Sequence, residues 1–165
     1  ALVAGEAISN TMGLGFASMA DPASGQSSPA IGQFLSMLTM FLFLAADGHL
    51  ALIATIAESY RALPPGEAWL SFSAIGGIVK FGSLAFSAGL SIALPVGFAL
   101  VLVQLIMAMI ARSAPTLNLF AVGMPAALLA GILLMGVSLP VMADMLSNAL
   151  RLAIDQAQII GGGRV

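Results

Sequence analysis

Two long stretches without a charged side chain constrain this chain more than any other feature of its sequence. The first runs from Phe81 to Ala111 and the second from Ser113 to Ala143, so that only Arg112 separates them. A helix needs about 20 apolar residues to span a membrane, and each stretch is longer than that. We therefore predict an all-α fold, in which polytopic membrane-type helical hairpins sit in a bilayer or against other helices.

The composition excludes several kinds of function. Of the 165 residues, 60% are hydrophobic and 7% are charged, whereas an ordinary globular domain is about 25% charged. A net charge of −2 provides no basic surface for nucleic acid, and we expect none as a partner. The chain has no cysteine and one histidine, so it cannot form disulfides, use a thiolate or build a histidine-rich metal site. We expect no cofactor and no bound metal.

Prolines and short polar segments divide the apolar stretches into helices. Asp21 and Ser28 each precede a proline, and a capping side chain followed by proline is typical of a helix start. The segment Asp21 to Ser28 is therefore predicted to be a polar loop between two helices. Further loops are predicted at Arg61 to Glu67 and at Arg112 to Asn118, since both contain proline.

Three prolines within the apolar stretches are expected to interrupt helices. We expect Pro95 to split or kink its helix, Pro125 to start a helix, and Pro140 to kink or break one. The opening segment, ALVAGEAISN, is predicted to be the middle of a helix. The chain is accordingly expected to begin inside a longer protein.

Polar residues recur at helical spacing only in the C-terminal segment. They are Asp144, Ser147, Asn148, Arg151, Asp155 and Gln158. This spacing predicts a polar stripe along one helix, with Arg151 and Asp155 placed i,i+4, and Gly161 and the glycines after it end that helix. The stripe either lines an aqueous channel or docks a partner, or it faces water while the helix lies at the membrane surface; both interpretations stay open.

Small residues recur every fourth position in the first charge-free stretch. They are Ala85, Gly89 and Ala93. Small side chains on one face of a helix let a neighbouring helix approach closely. These three residues are therefore predicted to form a helix-packing seam.

Asp47 and His49 are ionisable residues within an apolar stretch, where such groups are costly and often functional. One interpretation is a proton relay. The interpretation that we favour is a turn between two helices, in which Gly48 supplies the bend and Asp47 satisfies the freed amides.

Two protease interpretations are weaker. Ser27 or Ser28 with His49 would suit an intramembrane serine protease, but helix capping already explains these serines. Asp47 and Asp144 could be paired carboxylates, but the first belongs to the predicted turn and the second to the polar stripe.

Five segments in a fixed order resemble one known family. They are DPASGQSSPAIGQF (21–34), FLFLAADGH (41–49), ESYRALPPG (58–66), GLSIALPV (89–96) and RSAPTLNLFAVGMP (112–125). Together they are similar to the flagellar biosynthesis proteins of the FliR family, subunits of the flagellar type III export gate that are related to the SctT class of virulence secretion systems. The resemblance implies a single FliR-like export-gate domain over residues 1–165, corresponding to the C-terminal two thirds of the family, with the N-terminal third absent.

The resemblance also implies partners and a location. In this family a FliR-like subunit joins FliP-like and FliQ-like subunits, with an FlhB-like subunit, in a helical, funnel-shaped assembly. The assembly belongs to the bacterial inner membrane and the flagellar basal body, and unfolded flagellar substrates pass through its centre. Much of the apolar surface then contacts sister subunits as well as membrane lipid.

A loop of the family's subunit protrudes into the closed pore. The resemblance assigns this role of pore plug to one polar segment, whose residues are Asp21, Pro22, Ala23, Ser24, Gly25, Gln26, Ser27 and Ser28. The implied function is that of a non-enzymatic pore or gate subunit of the flagellar type III protein-export apparatus. The alternative is a small proton-coupled membrane transporter, which would require Asp47 or His49 to be exposed to a water path and paired within the chain.

Overall fold

A computed structural model describes residues 1–14, 30–62, 72–113 and 119–161. These residues form helices and turns and contain no β-strand, so the all-α prediction is confirmed. The helices are α1 (Leu2–Thr11), α2 (Ala30–Ala45), α3 (Gly48–Ala62), α4 (Phe72–Ser113) and α5 (Leu119–Gly161).

The two charge-free stretches lie in the two longest helices. By length and composition, Ile75–Ser113 of α4 and Val122–Ile160 of α5 can each cross a membrane, and α2 with α3 would be a third span if that bent pair counts as one. The prediction of membrane-type helices is therefore confirmed. It succeeds because an apolar stretch without water to bond its backbone must bond that backbone internally, as a helix does.

None of the three internal prolines ends a helix. Pro95 lies within α4, and Pro125 and Pro140 lie within α5. The prediction that Pro125 starts a helix is therefore wrong, because α5 begins at Leu119. Pro95 and Pro140 do not break their helices, and the alternative, that each of them kinks its helix, stays a prediction. Each proline removes one backbone hydrogen bond, and many intact turns on either side of it offset that loss.

Two predicted loops begin later than expected. Helix α3 continues through Arg61 and helix α4 through Arg112, and the rest of both loops lies outside the described residues. A basic side chain in the last turn interacts favourably with the unpaired carbonyls at the end of a helix, so these two arginines belong to the helices. Gly161 is the last residue of α5 that the structure describes, and the glycines after it lie outside the described residues.

Helix α1 confirms that the opening segment is helical, and it ends in a feature that the sequence analysis missed. Gly13 has a positive φ of 80°. Its N–H donates to the carbonyl of Asn10 at 3.1 Å, and the N–H of Leu14 donates to the carbonyl of Ser9 at 3.0 Å. This pair of bonds is the Schellman motif, which favours glycine at the residue with positive φ.

The helices divide into two compact units. Unit 1 comprises Ala1–Met37 with Gly89–Met142, and unit 2 comprises Leu38–Ala88 with Ala143–Val165. A single domain over residues 1–165 stays a prediction.

The buried apolar side chains are concentrated in unit 1. Its largest fully buried residues are Ile8, Met12, Leu35, Val96, Leu100 and Met142. In unit 2, Leu146 is the only buried hydrophobic residue among those that the structure describes. Unit 1 therefore has a core of its own, whereas the described apolar side chains of unit 2, except Leu146, are half-buried or exposed.

Candidate functional site

The candidate functional site is the set of exposed apolar side chains that each of the two units leaves on its helices. Large hydrophobic side chains are exposed along α2, α4 and α5, for example Phe41 (70%), Met109 (71%) and Val137 (81%). Soluble monomers rarely expose large contiguous apolar patches. This surface must therefore be covered by lipid or by other helices.

The apolar segments of α4 and α5 are longer than a bilayer is thick. Each segment contains 39 residues, or about 58 Å at a rise of 1.5 Å per residue. The hydrocarbon core of a bilayer is about 30 Å thick. An upright helix of this length would extend beyond the hydrocarbon at one end or at both ends.

Glycines set the closest helix contacts in unit 1. A Cβ atom added at Gly5 of α1 would lie 2.6 Å from the backbone nitrogen of Gly32 in α2, so Gly5 accepts no side chain unless the backbone of α2 moves. A Cβ atom added at Gly131 of α5 would lie 2.7 Å from Cγ of Met12. Buried Met12 thus fills the notch that Gly131 leaves open, as flexible methionine side chains often do.

The predicted seam residues differ in their surroundings. Gly89 is buried in unit 1, where an added Cβ would lie 3.0 Å from Cβ of Val3 in α1. Ala93 is also buried in unit 1, whereas Ala85 lies in unit 2 and is exposed. Gly89 therefore contacts a helix of this same chain, and the role of all three residues as one packing seam stays a prediction.

A side chain outside the predicted sites helps to close α1. Nε2 of Gln104 in α4 donates to the carbonyl of Thr11 at 2.6 Å. Thr11 is the last residue of α1, so its carbonyl has no partner within that helix. A single glutamine in an apolar stretch could have been recognised as a candidate for such a bond, but its partner could not.

Unit 2 contains an open apolar groove of about 300 Å³ between α3, α4 and α5. Its lining residues are Thr55, Ile56, Ser59, Phe81, Ala157 and Ile160. The Thr55 hydroxyl donates to the Ala51 carbonyl at 2.8 Å, and the Ser59 hydroxyl donates to the Ile56 carbonyl at 2.7 Å. Both hydroxyl protons are thus used inside α3, and the groove offers little besides apolar surface.

The Asp47 turn lies where it was predicted, but its geometry differs. Asp47 itself has a positive φ of 54°, so the bend lies there and not at Gly48, which is the first residue of α3. The main-chain carbonyl of Asp47 accepts from the N–H groups of Leu50 at 3.0 Å and Ala51 at 3.2 Å. Asp47 and His49 are both exposed, and their role in proton transfer is untested.

The polar stripe lies along the C-terminal part of α5. Asp144, Asn148, Arg151 and Asp155 are all exposed. Leu146 of the same helix is buried, and Ala157 and Ile160 line the groove. This part of α5 is therefore amphipathic, and the function of its polar face stays a prediction.

The predicted pore plug, Asp21 to Ser28, lies outside the described residues, and so do Ser27 and Ser28 of the serine protease interpretation. Among the residues that the structure describes, no group of three or more Asp, Glu or His side chains could hold a metal ion. The described residues discussed above form packing surfaces.

The chain matches a protein family described as "Bacterial export proteins, family 1" over residues 1–153. It is 39% identical over 140 residues to the flagellar biosynthetic protein FliR of Escherichia coli K12, covering 85% of this chain and 54% of that protein. The FliR protein of Pectobacterium carotovorum is 39% identical over 137 residues (83% and 52%), and that of Bacillus subtilis 29% over 156 residues (93% and 60%). The chain thus spans little more than half the length of these relatives.

Proposed function

The chain belongs to the family of bacterial export proteins, family 1, and from this premise we propose that it is a pore and gate subunit of the flagellar type III protein-export apparatus. The observation that carries the proposal is the match over residues 1–153, together with relatives whose names are those of flagellar biosynthetic proteins. The proposed location is the inner membrane, in the flagellar basal body.

The proposed partners are FliP-like, FliQ-like and FlhB-like subunits. Unit 2 supports this proposal because it has almost no buried apolar core among its described residues and carries an open apolar groove. Helices of sister subunits would complete that core, since close-packed apolar contacts stabilise a helical assembly both in water and in lipid. The length of α4 and α5 supports the same proposal, because an apolar segment of about 58 Å is nearly twice as long as the hydrocarbon core is thick.

The proposed activity is conduction of unfolded flagellar substrates without catalysis. Conduction needs a water-filled path and an element that closes it. The exposed polar stripe of α5 (Asp144, Asn148, Arg151 and Asp155) has the hydrogen-bonding character that a water-filled path requires. We propose that the segment Asp21 to Ser28 is the element that closes it.

A chimera tests the proposed function. The segment of the E. coli FliR protein that matches this chain is replaced by the chain itself, and the chimera is expressed in a strain that lacks its own FliR. We expect flagellar proteins to be exported into the medium and swimming to be restored. Immunoblots of the membrane fraction control for expression: a chimera that is present at the native level and exports nothing would overturn the proposal.

A further inference from the structure

Helices α2 and α3 are separated by a break in the backbone of very few residues. The axes of Ala30–Ala45 and Gly48–Arg61 differ by 71°. The ladder of helical bonds persists on both sides of the break: the N–H of Ala46 donates to the Leu42 carbonyl at 3.0 Å, and the N–H of Ala51 donates to the Asp47 carbonyl at 3.2 Å. The whole change of direction is thus made at Asp47 and its immediate neighbours.

The local backbone of this bend is not in its most favourable state. Asp47 is in the left-handed region with φ 54°, which is unfavourable for a residue with a side chain, although Asp tolerates it better than most. Gly48 and His49 form the first turn of α3, where backbone N–H groups have no partner within the helix. A right-handed Asp47 would let the two helices continue as one and would pair these amides.

Gly48 is suited to the bent form because it lies against Phe43 of α2, where a side chain would not fit. A Cβ atom added there would lie 2.9 Å from the carbonyl oxygen of Phe43 and would also meet the ring of that residue. A continuous helix accepts alanine at every position. The glycine therefore permits the bend although its own φ is not positive.

Tertiary packing holds α3 weakly. Gly48 is its only buried residue among those whose side chains the structure describes, and Leu52, Ile53 and Ile56 are each at least half exposed. The backbone of this segment favours a continuous helix, and packing stabilises the bent form only weakly. A binding partner can therefore readily change which of the two forms is populated.

We propose that α2 and α3 form a two-state switch with its hinge at Asp47. One state is the bent pair, and the other is a continuous helix over residues 30–62. The hinge requires a residue that tolerates positive φ, followed by glycine. A partner that covers the apolar face of α3 would select one of the two states.

Distances between spin labels test this proposal. The chain has no cysteine of its own, so cysteines introduced at exposed Met40 and Tyr60 can carry the spin labels. The sample is the full-length protein that carries this chain, purified in mild detergent together with any subunits that stay bound to it. At 1.5 Å per residue, the 71° bend gives a straight-line distance of about 25 Å between the backbone at these two positions. A continuous helix places them about 30 Å apart.

Three variants bias the hinge in known directions. Asp47→Gly removes the cost of positive φ and is expected to keep the shorter distance. Asp47→Ala and Gly48→Ala each disfavour the bend, by φ and by contact with Phe43 respectively, and are expected to raise the population at the longer distance on the order of fivefold or more. Ala54→Gly, within exposed α3, is the matched control because it weakens the helix without acting on the bend.

The outcomes are distinct. A longer distance in Asp47→Ala or Gly48→Ala, with a short one in Asp47→Gly and in the control, supports the switch. A single short distance in all four proteins would show a rigid elbow and overturn the proposal. A shift in Ala54→Gly as large as that in Gly48→Ala would also overturn it. The measurement reports geometry alone, so its failure is distinguishable from failure of the proposed export function.

Discussion

The contact between Gly5 and Gly32 brings two helix backbones closer than any side chain permits. A methyl group at Gly5 would meet the backbone of α2, including the Gly32 nitrogen at 2.6 Å, and backbone atoms give way less easily than side chains. We expect Gly5→Ala to destabilise unit 1 by about 1–3 kcal/mol, the usual cost of overpacking. Thermal unfolding in detergent measures this.

Gly82 offers the control for that substitution. It also lies inside a helix, but an added Cβ there would have no atom within 4 Å. Gly82→Ala should therefore stabilise α4 by up to about 1 kcal/mol through helix propensity. Equal effects of the two substitutions would show that the Gly5 contact has no energetic weight.

Substitutions at Gly89 test a helix contact that is less tight than the one at Gly5. An added Cβ would lie 3.0 Å from Cβ of Val3 and 3.7 Å from the backbone nitrogen of Ala4. Because Val3 is a half-exposed side chain that can shift, Gly89→Ala should be mild, whereas Gly89→Leu should wedge α1 away from α4. Limited proteolysis of membranes that contain each variant would report the difference, and equal resistance of both would contradict it.

Substitutions at Asp47 and His49 distinguish the turn interpretation from the proton-relay interpretation. Asparagine tolerates positive φ as aspartate does, so Asp47→Asn preserves the bend while removing the titratable group. We expect Asp47→Asn and His49→Gln each to keep most of the export activity. Loss of export in both variants, with normal levels in the membrane, would instead support a proton relay.

Among the helices and turns, features that depend on neighbouring residues could be predicted from the sequence, whereas features that depend on more distant residues could not. The absence of charge over Phe81–Ala111 and Ser113–Ala143 was sufficient to predict helices. Pro125 alone predicted a helix start, and this prediction failed because α5 already begins at Leu119 and continues past the proline. Likewise Asp47-Gly48 predicted a turn, but the two residue types alone do not tell that Asp47 takes the positive φ and that Gly48 begins α3.

The proposed role of the polar segment Asp21 to Ser28 rests on the resemblance and is consistent with the composition of the segment. Small polar residues bury little apolar area, so little free energy should hold such a segment in place, as a displaceable plug requires. We expect deletion of Ala23 to Gln26 to leave the assembly intact but to make the membrane leak small ions. Conductance across membranes that carry the wild-type or the shortened complex measures this, and equally tight sealing by both would remove the segment from the gate.

At the scale of the whole molecule, the division into two units was beyond the reach of the sequence. Gly89 begins one part of unit 1 and Ala88 ends one part of unit 2, yet both lie in the middle of α4 and in the same charge-free stretch. Contacts between residues far apart in sequence, such as Gly5 with Gly32 or Met12 with Gly131, decide the division. The near absence of fully buried apolar side chains among the described residues of unit 2 therefore became visible only in the structure.

We propose that this chain is one subunit of a larger helical export gate. Affinity purification of the full-length protein that carries the chain, from membranes in mild detergent, tests this proposal, with mass spectrometry to identify and count the proteins that accompany it. We expect at least two other polytopic membrane proteins in unequal copy number, and aggregation or degradation when the chain is expressed alone. A folded, monodisperse monomer with no membrane protein attached would contradict it.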